Sequence, residues 1–164
     1  MSRAKRESAS RKYRPKNVAL LLVAEAPPQA LDRYFYFEQV RSNDWLFRAV
    51  VKGIFGNVPS RDDKAYWLLE LKRSGVYLID ASKDPLEKPR LQGFVPDLVR
   101  RCRKLQPKCI ILIKASVYDA AYAQLVESHL PVVNARLPFP SNGQQARFHR
   151  QFRKALKECA RRAA

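Results

Sequence analysis

Four apolar runs in this sequence end in short polar stretches whose residues are of kinds that do chemistry. NVALLLVA (17–24) passes into Glu25-Ala26-Pro27-Pro28 and then into Arg33-Tyr34-Phe35-Tyr36. VYLIDA (76–81) carries Asp80 and is followed by Ser82, Lys83 and Asp84. CIILIK (109–114) ends in Lys114 and leads to Ser116 and Tyr118. LPVVNA (130–135) runs into NARLPFPSNGQQ. Pro27 and Pro28 lack N–H groups and restrict φ, so they stiffen the loop that holds Glu25. A carboxylate so placed suits a water-positioning base. It also has a plain structural reading as an acid at a strand end.

These stretches converge only if the four runs are strands of one parallel sheet. Each run is continuously apolar, as in a strand covered on both faces. Helical patterns separate them. Ser42 is placed to cap a helix over 43–55. Ser60, with Asp63 three residues on, opens another over 61–73, with Gly75 past its end. A third is expected over 98–106, a fourth from Ser116, and a basic one over 143–162. The pattern predicts a three-layer α/β/α sandwich around a central four-stranded parallel sheet. In such sheets ligands bind beyond the carboxyl ends of the strands, where the four polar stretches lie.

The chain has 164 residues and 46% apolar composition, enough for one domain with a sizeable core. The arm 1–16 has no apolar periodicity and is expected to be flexible and basic, with the domain spanning 17–164. Three cysteines, at 102, 109 and 159, form no Cys-x-x-Cys pair. Neither a disulfide framework nor a metal site is expected. No apolar run is long enough to cross a membrane. A cytoplasmic, nucleoid-associated protein is expected, or a nuclear one in a eukaryote. Thirty-two Lys and Arg against fifteen Asp and Glu give a net charge of +17, which points to a polyanionic partner, nucleic acid first. No Gly-x-Gly-x-x-Gly or Walker A pattern is present, and no cofactor is expected.

The same four positions resemble the uracil-DNA glycosylase superfamily. LLLVAEAPP is similar to its strand followed by Gly-Glu-Ala-Pro-Gly, and RYFY to its Arg-Pro-Phe-Val segment. VYLIDASK is similar to Tyr-Ile-Thr-Asn-Val-Val-Lys, and LQPKCIILIKASVYDA to Pro-Lys-Val-Ile-Val-Ala-Leu-Gly-x-x-Ala. LPFPSNGQ stands where the family has His-Pro-Ser. The match runs in order over roughly residues 18 to 156. The resemblance implies that fold and a monofunctional DNA glycosylase of base excision repair. Such an enzyme flips a uracil or another damaged or deaminated base out of DNA and hydrolyses its N-glycosidic bond. Glu25 would position the water. Phe35 would stack on the base, with Tyr36, Ala26, Pro27, Phe139 and Ser141 around it. Any of the three clustered aromatics can equally be a core residue.

Three departures bear on this expectation. Asp80 replaces the family's Asn. An ionised Asp accepts hydrogen bonds but does not donate, which suits a base edge that presents donors, whereas a protonated one does both. Asp80 can also be read as a partner for Lys83 or an arginine. Phe139 replaces the His that assists the departing base, leaving Ser141, Asn142, Lys83 or a backbone N–H for that task. The cysteines of the iron–sulfur branch are missing.

For DNA, Arg33 and Lys83 are candidate phosphate contacts. The turn at Asn142, Gly143 and Gln144 would probe the space a flipped base leaves. Arg147, Arg150, Arg153, Lys154 and Lys157 would form a basic helical ridge, which can equally be a solvated face. A monomer acting on duplex or single-stranded DNA is expected. The alternative is a catalytically inactive nucleic-acid-binding module of the same fold. An enzyme of free nucleosides would not need so high a charge.

Overall fold

The computed structural model describes residues 2–42, 44–86 and 90–164. Its centre is a parallel sheet of three strands, β1 (Leu20–Ala24), β2 (Val76–Asp80) and β3 (Ile110–Leu112), in the order β2-β1-β3. Every residue of β1 and β3 is buried, so the apolar runs do reflect strands covered on both faces. The register aligns Ala24 with Asp80. The Ile113 N–H donates to the Val23 carbonyl at 2.8 Å. The three strands therefore end together, with Glu25, Asp80 and Lys114 side by side.

Six helices connect and flank the strands: α1 (Ser2–Lys12), α2 (Trp45–Phe55), α3 (Lys64–Arg73), α4 (Val95–Leu105), α5 (Ala115–Glu127) and α6 (Gln145–Ala163). Short 3-10 turns at Arg61–Asp63 and Leu91–Phe94 lead into α3 and α4. The boundaries follow local chemistry. Gly56 takes φ 79° past α2, and its N–H donates to the Lys52 carbonyl. Pro96 sits in the first turn of α4, where a missing N–H costs nothing. The helix expected from 43 begins at Trp45, with Asp44 as its N-cap in place of Ser42; position 43 lies outside the described residues.

Three expectations are corrected. The sheet has three strands rather than four. Residues 130–135 contribute one parallel bridge, Ile110 with Val132. Pro131 has no N–H to give to a ladder, and the Val132 and Ala135 N–H groups turn back on Leu130 and Val133.

The expected flexible arm is helix α1; position 1 lies outside the described residues. Its Ala, Arg, Lys and Glu content favours helix without an apolar stripe. Polar side chains hold it in place. Arg6 is buried, and its guanidinium donates to the Lys83 carbonyl and the Asp84 carboxylate, each at 3.3 Å. Ser10 bonds the Tyr77 hydroxyl, and Tyr13 is buried with its hydroxyl on Glu38.

The third correction concerns the cysteines. Cys109 and Cys159, 50 residues apart, form a disulfide that ties α6 to the start of β3. Cys102 is a free, buried thiol whose pKa burial raises to about 11. Sequence spacing could not reveal a pair that only the fold brings together.

Candidate active site

The three strand ends open onto a cavity of about 330 Å³, within the roughly 300–1,000 Å³ usual for small-ligand sites. Glu25, Ala26, Pro27 and Pro28 form one side, and Arg33, Tyr34 and Phe35 another. Asp80, Lys114 and Phe139 line it as well, together with Trp45 and Phe47 from the start of α2. The residues expected from all four polar stretches thus meet at one place.

Glu25 is held from two sides. Lys114 Nζ donates to Oε1 at 3.1 Å, and the Ser116 hydroxyl donates to Oε2. The Glu25 side chain is 17% exposed and that of Lys114 41%. The Glu25 backbone carbonyl accepts the Ser82 N–H at 2.9 Å, so its loop is fastened to the end of β2. Lys114 itself has φ 82°, a left-handed conformation that L side chains rarely adopt. That backbone turn lets α5 start at Ala115, which puts Ser116 in its first turn.

Asp80, half-buried at the end of β2, borders this cavity and a second cleft against α1. Burial pushes its carboxyl up to about 7, against the opposing charges of Arg101 and Arg6. The Arg101 guanidinium donates to the Asp80 and Ala81 carbonyls, each at 2.8 Å, and so steadies the strand end. Tyr34 also borders both spaces. Burial first, and the charge of Asp80 second, raise its phenol far above the usual range, so it stays neutral.

Phe35 lines the cavity but is 91% buried, edge-on to Phe47 with centroids 5.6 Å apart. It is therefore a wall fixed by the core. Tyr36 does not line the cavity. Its hydroxyl donates to the Leu78 carbonyl at 2.9 Å and accepts the Leu78 N–H at 2.7 Å. It satisfies the outer edge of β2, an edge strand whose backbone groups would otherwise be unpaired. The expectation that Tyr36 touches a ligand is corrected on that ground.

Phe139, half-buried, faces the cavity where the resemblance has a His. Ser141, Asn142, Gly143 and Gln144 lie outside it in a turn. Gly143 takes φ 83°, and the Gln144 N–H returns to the Ser141 carbonyl at 3.0 Å. Lys83 lines the cleft on the α1 side instead. Arg147 and Arg150 are exposed on α6 and pair with no acid among the described residues. Arg153, read as part of the same ridge, donates to the Gly53 carbonyl at 2.9 Å and ties α6 to α2.

Sequence reasoning missed Trp45 and the role of Lys114. Trp45 carries no spacing signal. Lys114 was visible as the last residue of a strand run, but its contact with Glu25 needs the register of β1 and β3.

Among the described residues, no group of three or more His, Cys, Asp or Glu is arranged to hold a metal, and no helix is long and apolar enough to cross a membrane. No family model matches the chain, and no curated protein matches it.

Proposed function

We propose that the protein is a DNA glycosylase that hydrolyses the N-glycosidic bond of a damaged or deaminated base, working without a cofactor. The observation that carries this reading is the cavity itself. A carboxylate and an ammonium, Glu25 and Lys114, meet in one wall, and Tyr34, Phe35 and Phe139 supply aromatic surface beside them. A flipped base needs apolar walls, a polar group for its pairing edge and a carboxylate near its sugar. In this reading the C1′–N bond breaks with its electrons leaving on the base. A water oxygen then bonds C1′, and its proton passes by way of Glu25.

The departing base needs a positive or donating group. Lys114 takes this task in place of the family's His, because two of its ammonium hydrogens remain after one is given to Glu25. The left-handed φ of Lys114 supports the resemblance as well, since the family's segment has Gly at this position. Asp80 would read the base edge. Below about pH 7 its carboxyl donates and accepts, and above it only accepts.

One observation favours the non-catalytic alternative. Both oxygens of Glu25 already have partners, so a water must compete with Ser116 or share a lone pair. Single-turnover assays separate the two readings. Oligonucleotides carrying uracil, hypoxanthine, xanthine or modified cytosines are treated with the wild type and with Glu25→Ala. The glycosylase reading expects abasic product from at least one base, lost by about 10²-fold or more in the variant. A panel left intact by the wild type leaves the binding module.

A further inference from the structure

Beside the cavity lies a second groove of about 240 Å³ between α2 and α6, lined by Trp45, Arg48, Lys52, Val58, Gln145 and His149. Trp45 lines both spaces, so its indole is the partition between them. Trp45, Arg48 and Lys52 recur at helical spacing and share one face of α2, while Phe47, Val50 and Val51 are buried. That exposed face carries two cations, both without an acidic partner among the described residues. No Asp or Glu lines the groove.

Two further features have no use in the fold. Val58 is 57% exposed at the groove. His149 Nδ1 is buried with no hydrogen-bond partner among the described residues. Burial and the nearby charges of Lys52 and Arg153 lower the His149 pKa, so the imidazole is neutral near pH 7 and adds no charge of its own.

We infer that this groove takes the nucleotide next to the flipped one, its base stacked on Trp45 and its phosphate held by Arg48 and Lys52, and that the substrate strand is therefore single-stranded there. An aromatic face beside unpaired cations is the chemistry that holds unstacked nucleotides without reading their sequence. A strand that fills the cavity and the groove together has two neighbouring nucleotides out of the stack, with an indole between them. A duplex would have to give up two adjacent pairs for this. The inference deepens the glycosylase reading, and rests on it for what fills the cavity.

The test is equilibrium binding, which needs no chemistry. Fluorescence anisotropy of a labelled single-stranded DNA, the same sequence as RNA, and a blunt duplex is followed across a salt series. The proteins are the wild type, Arg48→Ala/Lys52→Ala, Trp45→Ala and, as a comparison on α6, Arg147→Ala/Arg150→Ala. The wild type is expected to prefer single-stranded DNA to the duplex by at least about tenfold.

Removing both α2 cations should weaken single-strand binding by about tenfold or more. It should also reduce the slope of log K against log salt by about 1.4, that is about 0.7 per lost phosphate contact. Trp45→Ala should weaken binding with the slope unchanged, because stacking releases no counterions. An unchanged slope in Arg48→Ala/Lys52→Ala, or a preference for duplex, overturns the inference, as does no binding at all. Equal or tighter binding of the RNA reassigns the strand to RNA and overturns the DNA assignment. Binding that needs Arg48 and Lys52 while no base is excised keeps the groove and removes the glycosylase reading. Excision with binding indifferent to both cations does the reverse.

Discussion

Replacing Asp80 with Asn should make the protein more stable at pH 8 and leave it nearly unchanged near pH 4. An unfolded chain ionises this carboxyl near 3.9, whereas burial holds it at about 7 in the fold. The native state therefore binds the proton more tightly. Stability from this group is fully present below about pH 4, falls as pH rises and is lost above about pH 7. A gap of about 3 in pKa corresponds to roughly 4 kcal/mol. The side chain borders an open cavity, so water recovers part of this, and about 2–4 kcal/mol is the expected range. Asn keeps the shape and does not titrate.

Urea unfolding of both proteins between pH 4 and 8, followed by tryptophan fluorescence, gives the difference curve. Contributions from the other carboxylates cancel in it. The Asn variant should gain steadily across that window. A difference that is flat to within about 0.5 kcal/mol, or an Asn variant less stable at pH 8, would refute a proton held at Asp80 by burial. The same variant restores the family's residue, and uracil excision should rise relative to wild type if Asp80 sets base preference.

Three other substitutions test the frame of the site. Breaking the Cys109–Cys159 disulfide, by reduction or Cys159→Ala, opens a 50-residue loop and should lower stability by about 4 kcal/mol on the chain-entropy account, read from urea midpoints with and without dithiothreitol. Gly53→Ala would bring a methyl within 2.4 Å of the buried Phe152 ring where α2 meets α6, and should cost about 1–3 kcal/mol by thermal melting despite Ala's better helix propensity. Lys114→Gly removes the cost of a left-handed lysine, so stability should hold or rise by about 1 kcal/mol while single-turnover excision falls.

The parts of this fold that were legible in the sequence are those written in local period and composition. Runs such as CIILIK could only be strands covered on both faces, and their shared edge followed from that. What was not legible depended on distant partners. In α1, buried Arg6 finds Asp84, and Ser10 finds Tyr77; nothing in residues 2–12 announces either. Tyr36 read as a ligand-stacking aromatic because its neighbours Tyr34 and Phe35 do line the cavity. Alternation in an extended loop sends adjacent side chains different ways, and the free edge of β2 offered its hydroxyl both a donor and an acceptor. Pro131 was the legible warning against a fourth strand.

Two costs to stability coincide at the cavity, and neither serves folding. Lys114 holds a backbone conformation that glycine would adopt without strain, and Asp80 keeps a carboxyl where burial disfavours its charge. Outliers of this kind persist where the surrounding structure overrides them, and they cluster where ligands are handled. Their geometry also bears on the choice between the two readings. A module that only grips phosphates needs cations facing outward, as on Arg147 and Arg150. The strained Lys114 instead turns its ammonium onto Glu25, which adds nothing to a phosphate grip and something definite to a reaction that creates positive charge on a sugar and negative charge on a base. The placement of Lys114 against Glu25 therefore weighs toward chemistry more than the overall charge of +17 does, since that charge suits either reading.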